Sequence, residues 1–161
     1  MPEAFIFMGP YPLISSDASP GLRFLKAILQ ALDSLEPSIS PLAPFLAPDA
    51  LFIFNSGEPV AANQIIAMLH SRAAKLDAFH HDMKIAWDVE KGDGRRTVMY
   101  ESMSVTVHKN DPEKVELKVP EFNIIELVPM EKGFEGLVAV ELRSYIGTNP
   151  IVQRVSGEGP V

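Results

Sequence analysis

Three polar residues, His81, Glu101 and Asn123, recur on stretches that alternate between apolar and polar positions. An extended chain sends successive side chains to opposite faces, so alternation assigns each residue a side. From Phe79 the odd positions are Phe79, His81, Met83, Ile85, Trp87 and Val89, against His80, Asp82, Lys84, Ala86 and Asp88. The apolar set carries His81, and His80 and Asp82 fall on the solvent side. In the next stretch Thr97, Met99, Glu101, Met103, Val105 and Val107 share a parity, which makes Glu101 the charged residue of an apolar face. Further on, Val115, Leu117, Val119, Glu121, Asn123, Ile125 and Leu127 share a face; Asn123 points inward, and so does Glu121 unless Pro120 marks a bulge. In the last such stretch Val138, Val140 and Leu142 face in, with Glu141, Arg143 and Tyr145 opposite.

Buried charge is costly unless paired, so this set reads as a polar site in an apolar pocket. Glu101 can accept a proton from His81 and fix its tautomer, and either group can serve as general acid or base. Desolvation by Met83, Trp87, Met99 and Met103 would raise the carboxylate toward that working range. Asn123 can donate a hydrogen bond to a carbonyl or oxyanion. Phe54 joins the four apolar residues as pocket wall, with Glu121 a further substrate contact. The competing reading is a satisfied structural His–Glu pair, because ion pairs also perturb titration without catalysis.

Other polar residues have plainer readings. Asp33 and Gln30 belong to the first helical segment and could face the pocket mouth, although helical spacing favours solvent for Asp33. His70 and Arg72 fit a helix C-terminus electrostatically, and His108 with Lys109 closes a strand. Adjacent His80 and His81 point to opposite faces and cannot chelate one ion, so no metal is expected. Neither a Gly-rich dinucleotide fingerprint nor a phosphate-binding loop motif occurs, so no cofactor is expected. A net charge of −7, with Lys and Arg scattered singly, argues against nucleic acid. The chain has no cysteine, which removes disulfides, thiolate metal sites and a cysteine nucleophile. The apolar patch in MPEAFIFMGPYPL is short and lacks the flanks of a signal peptide, and no run reaches membrane-spanning length. A cytoplasmic protein with no membrane contact is the expectation.

The elements that must position these residues follow from period and punctuation. With 161 residues, 47% of them hydrophobic, one domain with a real core is expected. Residues 1–20 form a proline-rich arm with one short strand at Ala4–Met8, free to pack on a partner subunit or over the pocket. Leu22, Leu25, Ile28, Leu29, Leu32 and Leu35 recur at helical spacing between Pro20 and Pro37. A helical turn at 42–46, a strand at 50–54 and a helix at 62–76 come next. Strands at about 79–90, 95–108, 114–128 and 136–146 then form an antiparallel meander, the first two joined by the hairpin sequence EKGDGRR. Residues 21–147 make the domain and 148–161 a tail. The order predicts an α+β fold with helices on one face of a curved sheet.

The stretch FLAPDALFIFNSGEPVAANQIIAMLHSRAAKLDAFHHDMKIAWDVE resembles the middle of SnoaL-like proteins of the NTF2-like superfamily. There a helix end, a strand, a Gly-x-Pro turn, a helix and a His-bearing strand precede three further strands. The resemblance covers residues 22–146 and implies a cone, a curved antiparallel sheet wrapped around two long helices and one short one, with an apolar pocket. It implies a cofactor-independent enzyme of secondary-metabolite biosynthesis that isomerises, cyclises or dehydrates a hydrophobic oxygenated substrate, such as a polyketide or terpenoid intermediate. The alternative it leaves open is a non-catalytic ligand-binding or dimeric interaction module. In the dehydratase branch a histidine sits where His81 does, but a second histidine stands where this chain has Glu101. The epoxide hydrolases of the superfamily need an Asp-Arg-Asp set, and Arg143 lies on the outward parity here. Relatives also suggest a homodimer, with Val98, Tyr100 and Tyr145 on the outer face of the sheet.

Overall fold

Lys84 occupies a bulge in the strand that bears His81, and the bulge decides which residues reach the interior. In the computed structural model, which describes residues 2–147 and 151–154, the strands are β1 (Ala4–Met8), β2 (Leu46–Phe54), β3 (Val60–Ala61), β4 (Leu76–Gly92), β5 (Arg95–His108), β6 (Val115–Phe134), β7 (Leu137–Ile146) and β8 (Ile151–Arg154). The α-helices are α1 (Pro20–Asp33) and α2 (Ala62–Ala73), and single 3-10 turns occupy Tyr11–Leu13 and Ala43–Phe45.

The strands form one sheet in the order β1-β4-β5-β6-β7-β2-β3, with β8 added to β6. The meander β4 to β7 is antiparallel as the sequence predicts, but β2 runs parallel to β7. The sheet is therefore mixed, where a purely antiparallel one was expected. Part of the expected tail is strand β8, and the rest of that tail lies outside the described residues. The arm of residues 1–20 contains β1, which pairs with Ile85 to Val89 of β4 at the sheet edge. Asp93 and Gly94 turn the β4–β5 hairpin with φ of 55° and 73°, the left-handed pair that a two-residue hairpin turn needs.

Helix α1 lies against β4 and β5 and supplies much of the core through Leu22, Phe24, Leu25, Ile28 and Leu29. Burying a side chain of this size contributes about 2 kcal/mol. Its start is fixed from the sheet. Asp88, fully buried on β4, accepts the Gly21 N–H at 2.8 Å and pairs with Arg96 Nε at 2.8 Å. A carboxylate at a helix N-terminus meets free N–H groups and the positive end of the dipole. Any Cβ at position 21 would stand 2.3 Å from that carboxylate, so the helix can approach β4 this closely only with glycine there.

Residues directly opposite in a ladder project to the same face, so pairing fixes the interior set. His81 pairs with Ser104 and Met83 with Ser102; after the bulge at Lys84, Ala86 pairs with Tyr100 and Asp88 with Val98. Tyr100 and Ser102 in turn oppose Asn123 and Glu121, and Asn123 opposes Ser144. The interior of β5 is thus Val98, Tyr100, Ser102 and Ser104, the parity opposite to the one expected.

This corrects several expectations. Glu101 is exposed and sits outside the cone beside Met103, Phe122 and Tyr145. Met99 pairs with Trp87 on the outer face, where the Trp87 ring lies 6.3 Å from that of Phe122. Met83 is interior but sealed in the core at 1% exposure. Val98 and Tyr100 are core residues, so of the expected outer-face trio only Tyr145 is exposed.

Candidate active site

Helix α1 ends at Asp33 because Ser34 turns extended and Pro37 follows. That end points its last side chain at β4. Asp33 Oδ1 lies 2.5 Å from His81 Nδ1, and Oδ2 accepts both the His81 backbone N–H at 3.0 Å and the Tyr11 hydroxyl at 2.8 Å. Tyr11 comes from the 3-10 turn of the N-terminal segment and is itself buried. The expectation that Asp33 faces solvent is overturned: its side chain is 10% exposed, and that of His81 is 9%. The signal was available in the spacing, since Asp33 continues the stripe Leu22, Leu25, Leu29 of α1 by one more step of four.

The other ring nitrogen, Nε2, lies 3.0 Å from Glu121 Oε1. Ser102 Oγ at 3.1 Å and Asn123 Nδ2 at 3.0 Å donate to the same oxygen, and Ser144 Oγ donates to Asn123 Oδ1 at 2.5 Å. Three donors therefore converge on Oε1, and no described donor meets Oε2. The sequence reading brought His81, Glu121 and Asn123 together on the right faces. Glu121 stands where Glu101 was expected, Asp33 takes the pocket side that the spacing disfavoured, and Tyr11, Ser102 and Ser144 join the cluster without having been singled out.

Burial works against a charge on His81, but hydrogen bonds and attraction from Asp33 and Glu121 outweigh it and raise the imidazole to about 9. At neutral pH the ring is therefore an imidazolium between two carboxylates. Burial opposes the charge on Glu121 as well, yet the bond and charge of His81, with Asn123 and Ser102, hold its carboxyl below the usual value. Tyr100, fully buried beside the cluster, is pushed well up by burial and by both carboxylates, and stays a neutral phenol.

The cluster opens onto a cavity of about 410 Å³ walled by Leu32, Phe52, Phe54, Ile65, Leu69 and Ile125. Its polar lining includes His81, Glu121, Asn123, Ser104, Ser144, Tyr100 and Arg72, and Arg143 borders it with its Nε bonded to Glu141 at 2.5 Å. Trp87, Met99, Met103 and Met83, expected as pocket wall, are not among the lining residues, whereas Phe54 is. The two carboxylates address opposite nitrogens of one ring, so they cannot converge on a single ion. Among the described residues no set of three ligating side chains is arranged to hold a metal. What the arrangement can do is hold, give and take a proton inside an apolar chamber.

No family model matches the chain, and no curated protein matches it. Solved structures do. ActVI-ORFA from Streptomyces coelicolor is 18% identical with a TM-score of 0.60, over 80% of this chain and 95% of that one. Nuclear transport factor 2 from Cryptosporidium parvum is 12% identical with a TM-score of 0.58, over 83% and 100%. A type 2 hexachlorocyclohexane dehydrochlorinase, LinA, is 8% identical with a TM-score of 0.60, over 86% and 88%. The chain thus has the fold of nuclear transport factor 2, shared with ActVI-ORFA. No helix among the described residues is long and apolar enough to cross a membrane.

Proposed function

We propose that the protein is a cofactor-independent enzyme that moves protons on an apolar, oxygenated small molecule of the polyketide or terpenoid kind, in an isomerisation, cyclisation or elimination. The observation that carries this reading is His81, held by a carboxylate at each ring nitrogen, Asp33 and Glu121, at the wall of an apolar cavity. Titratable groups buried together and perturbed at a cavity wall are a recurrent mark of a functional site. A largely apolar chamber with a few converging polar groups is also the usual form of a small-molecule site. One of the fold neighbours is by name a dehydrochlorinase, an enzyme of elimination.

Glu121 Oε2 takes a proton from a carbon next to a substrate carbonyl or opposite a leaving group. The His81 Nε2–H protonates the carbonyl or the departing oxygen. The substrate then leaves as an enol or as an alkene plus water, with Glu121 neutral and His81 neutral. Transfer from the Glu121 carboxyl to Nε2 restores the starting charges. Asp33 orients the ring and stabilises its charge throughout, and Asn123 and Ser102 hold Glu121 in place.

One observation favours a second reading. Both ring nitrogens of His81 already have carboxylate partners, as in a self-satisfied network of a ligand carrier. The two readings separate on a simple carbon acid. In deuterium oxide, 2-tetralone should bind and exchange its α-protons faster with the native protein than with Glu121→Gln or His81→Asn. Binding with exchange no faster than in buffer would favour the carrier.

A further inference from the structure

Arg72 lies in the last turn of α2 and crosses to the end of α1, where its Nη2 donates to the Leu32 carbonyl. Its guanidinium carbon lies over Phe79, 3.9 Å from the ring centroid, and the Phe79 and His81 rings meet nearly perpendicular at 5.3 Å between centroids. The same side chain lines the cavity that His81 and Glu121 line. Arg72 therefore belongs to the chamber and is separated from the proton-carrying ring by one aromatic side chain.

Its hydrogen bonding is incomplete. Nε is buried and has no partner among the described residues, and no described acceptor meets Nη1. No described carboxylate lies within ion-pair range of it. Asp33 attracts it only at a distance, and burial lowers its pKa from the usual arginine value. The other cations of the chamber are engaged, His81 by Asp33 and Glu121 and Arg143 by Glu141. A partly desolvated guanidinium with unused donors is costly to maintain and matches the geometry of a carboxylate. The surrounding wall is apolar and aromatic, which suits a ring system behind that charged group.

We propose that Arg72 is the recognition residue for an anionic oxygen, so that the ligand of this chamber is an apolar ring compound carrying a carboxylate. The proposal rests on reading the cavity as a substrate pocket, but it concerns binding and does not depend on turnover. The Arg72 end of the chamber holds the carboxylate, and the His81–Glu121 end meets the reacting part of the same molecule.

The test is calorimetric titration with two probes of equal shape, 2-naphthoate and 2-naphthamide, against the native protein, Arg72→Met and Arg72→Lys. The native protein should prefer the carboxylate by about tenfold or more, as expected of a charge-assisted bond. Arg72→Met should erase the preference while keeping the amide affinity, and Arg72→Lys should keep part of it. Because Arg72 also serves the end of α1, a melting curve for each variant shows that the comparison is made on folded protein. If Arg72→Met fails to fold, Arg72→Lys alone decides, since it retains the charge but not the planar fork. Equal native affinity for the two probes, a preference that survives both substitutions, or no binding of 2-naphthoate would overturn the proposal. A native protein that prefers the carboxylate but exchanges the α-protons of 2-tetralone no faster than buffer would leave this inference standing while the catalytic reading fails.

Discussion

Asp33 grips His81 twice, with Oδ1 2.5 Å from the ring Nδ1 and Oδ2 accepting the His81 backbone N–H at 3.0 Å. One carboxylate thereby ties the last residue of α1 to the strand that carries the imidazole, sets the ring orientation and holds the Nδ1 proton. Asp33→Asn keeps the shape but can present an N–H where an acceptor is needed. We expect α-proton exchange to fall by about 100- to 10,000-fold, the usual worth of a positioned acid or base. A change of less than about threefold would show that Asp33 is a fold residue only.

Glu121 and Glu101 make a paired prediction, because they stand one ladder step apart on opposite faces of the sheet. Glu121→Gln should remove exchange while retaining 2-tetralone affinity. Glu101→Gln, on the exposed outer face, should leave both exchange and melting temperature nearly unchanged, as surface substitutions do. Parallel assays of the two variants give a direct comparison, and equal losses would contradict the assignment of faces.

Stability should depend on pH in a stated direction. The His81 imidazole is raised to about 9 from 6.5, so its contribution is fully present below about 6.5 and is lost as pH climbs through about 9. Glu121 is held below its ordinary 4.5, so its contribution is present above that value and is lost as pH falls through the lowered one. The two together place their greatest stabilisation between about 4.5 and 6.5. Urea unfolding across pH should show a decline from neutral to alkaline pH that flattens in His81→Asn. An identical alkaline decline in that variant would assign the effect to other groups.

The Gly21–Asp88–Arg96 junction predicts stability effects away from the pocket. Gly21→Ala places a methyl group 2.3 Å from the Asp88 carboxyl and should cost about 1–3 kcal/mol, as overpacking does. Arg96→Met strands a fully buried carboxylate with only the Gly21 N–H and should cost about 3–5 kcal/mol. Chemical denaturation measures both, and Arg96→Met being the milder of the two would contradict this account of the junction.

Much of the scaffold was legible because its signals are local. Leucine spacing gave α1, the Gly-Asp-Gly turn gave the β4–β5 hairpin, and alternation gave β4 to β7. The faces were harder. Alternation finds two sides of a strand but cannot say which is inside when both are apolar, and β5 has Val98 and Tyr100 on one side with Met99 and Met103 on the other. The pocket inverts the usual rule, since its interior carries Ser102 and Ser104 while the outer face carries Trp87, Met99 and Phe122. The bulge at Lys84 hid this further by switching the interior of β4 from odd to even positions midway. Helical spacing shows the face of Asp33 but not its partner, since His81 is 48 residues away, and Tyr11 reaches Asp33 across 22 residues only through the tertiary fold. The parallel pairing of β2 with β7 leaves no local mark in either strand.

The pocket stores a proton on His81 between two carboxylates, and NMR titration of the His81 ring nitrogens measures it directly. The ring should be protonated at neutral pH with a midpoint near 9, falling in both Asp33→Asn and Glu121→Gln. A midpoint at or below the ordinary 6.5, or one that neither substitution lowers, would contradict it.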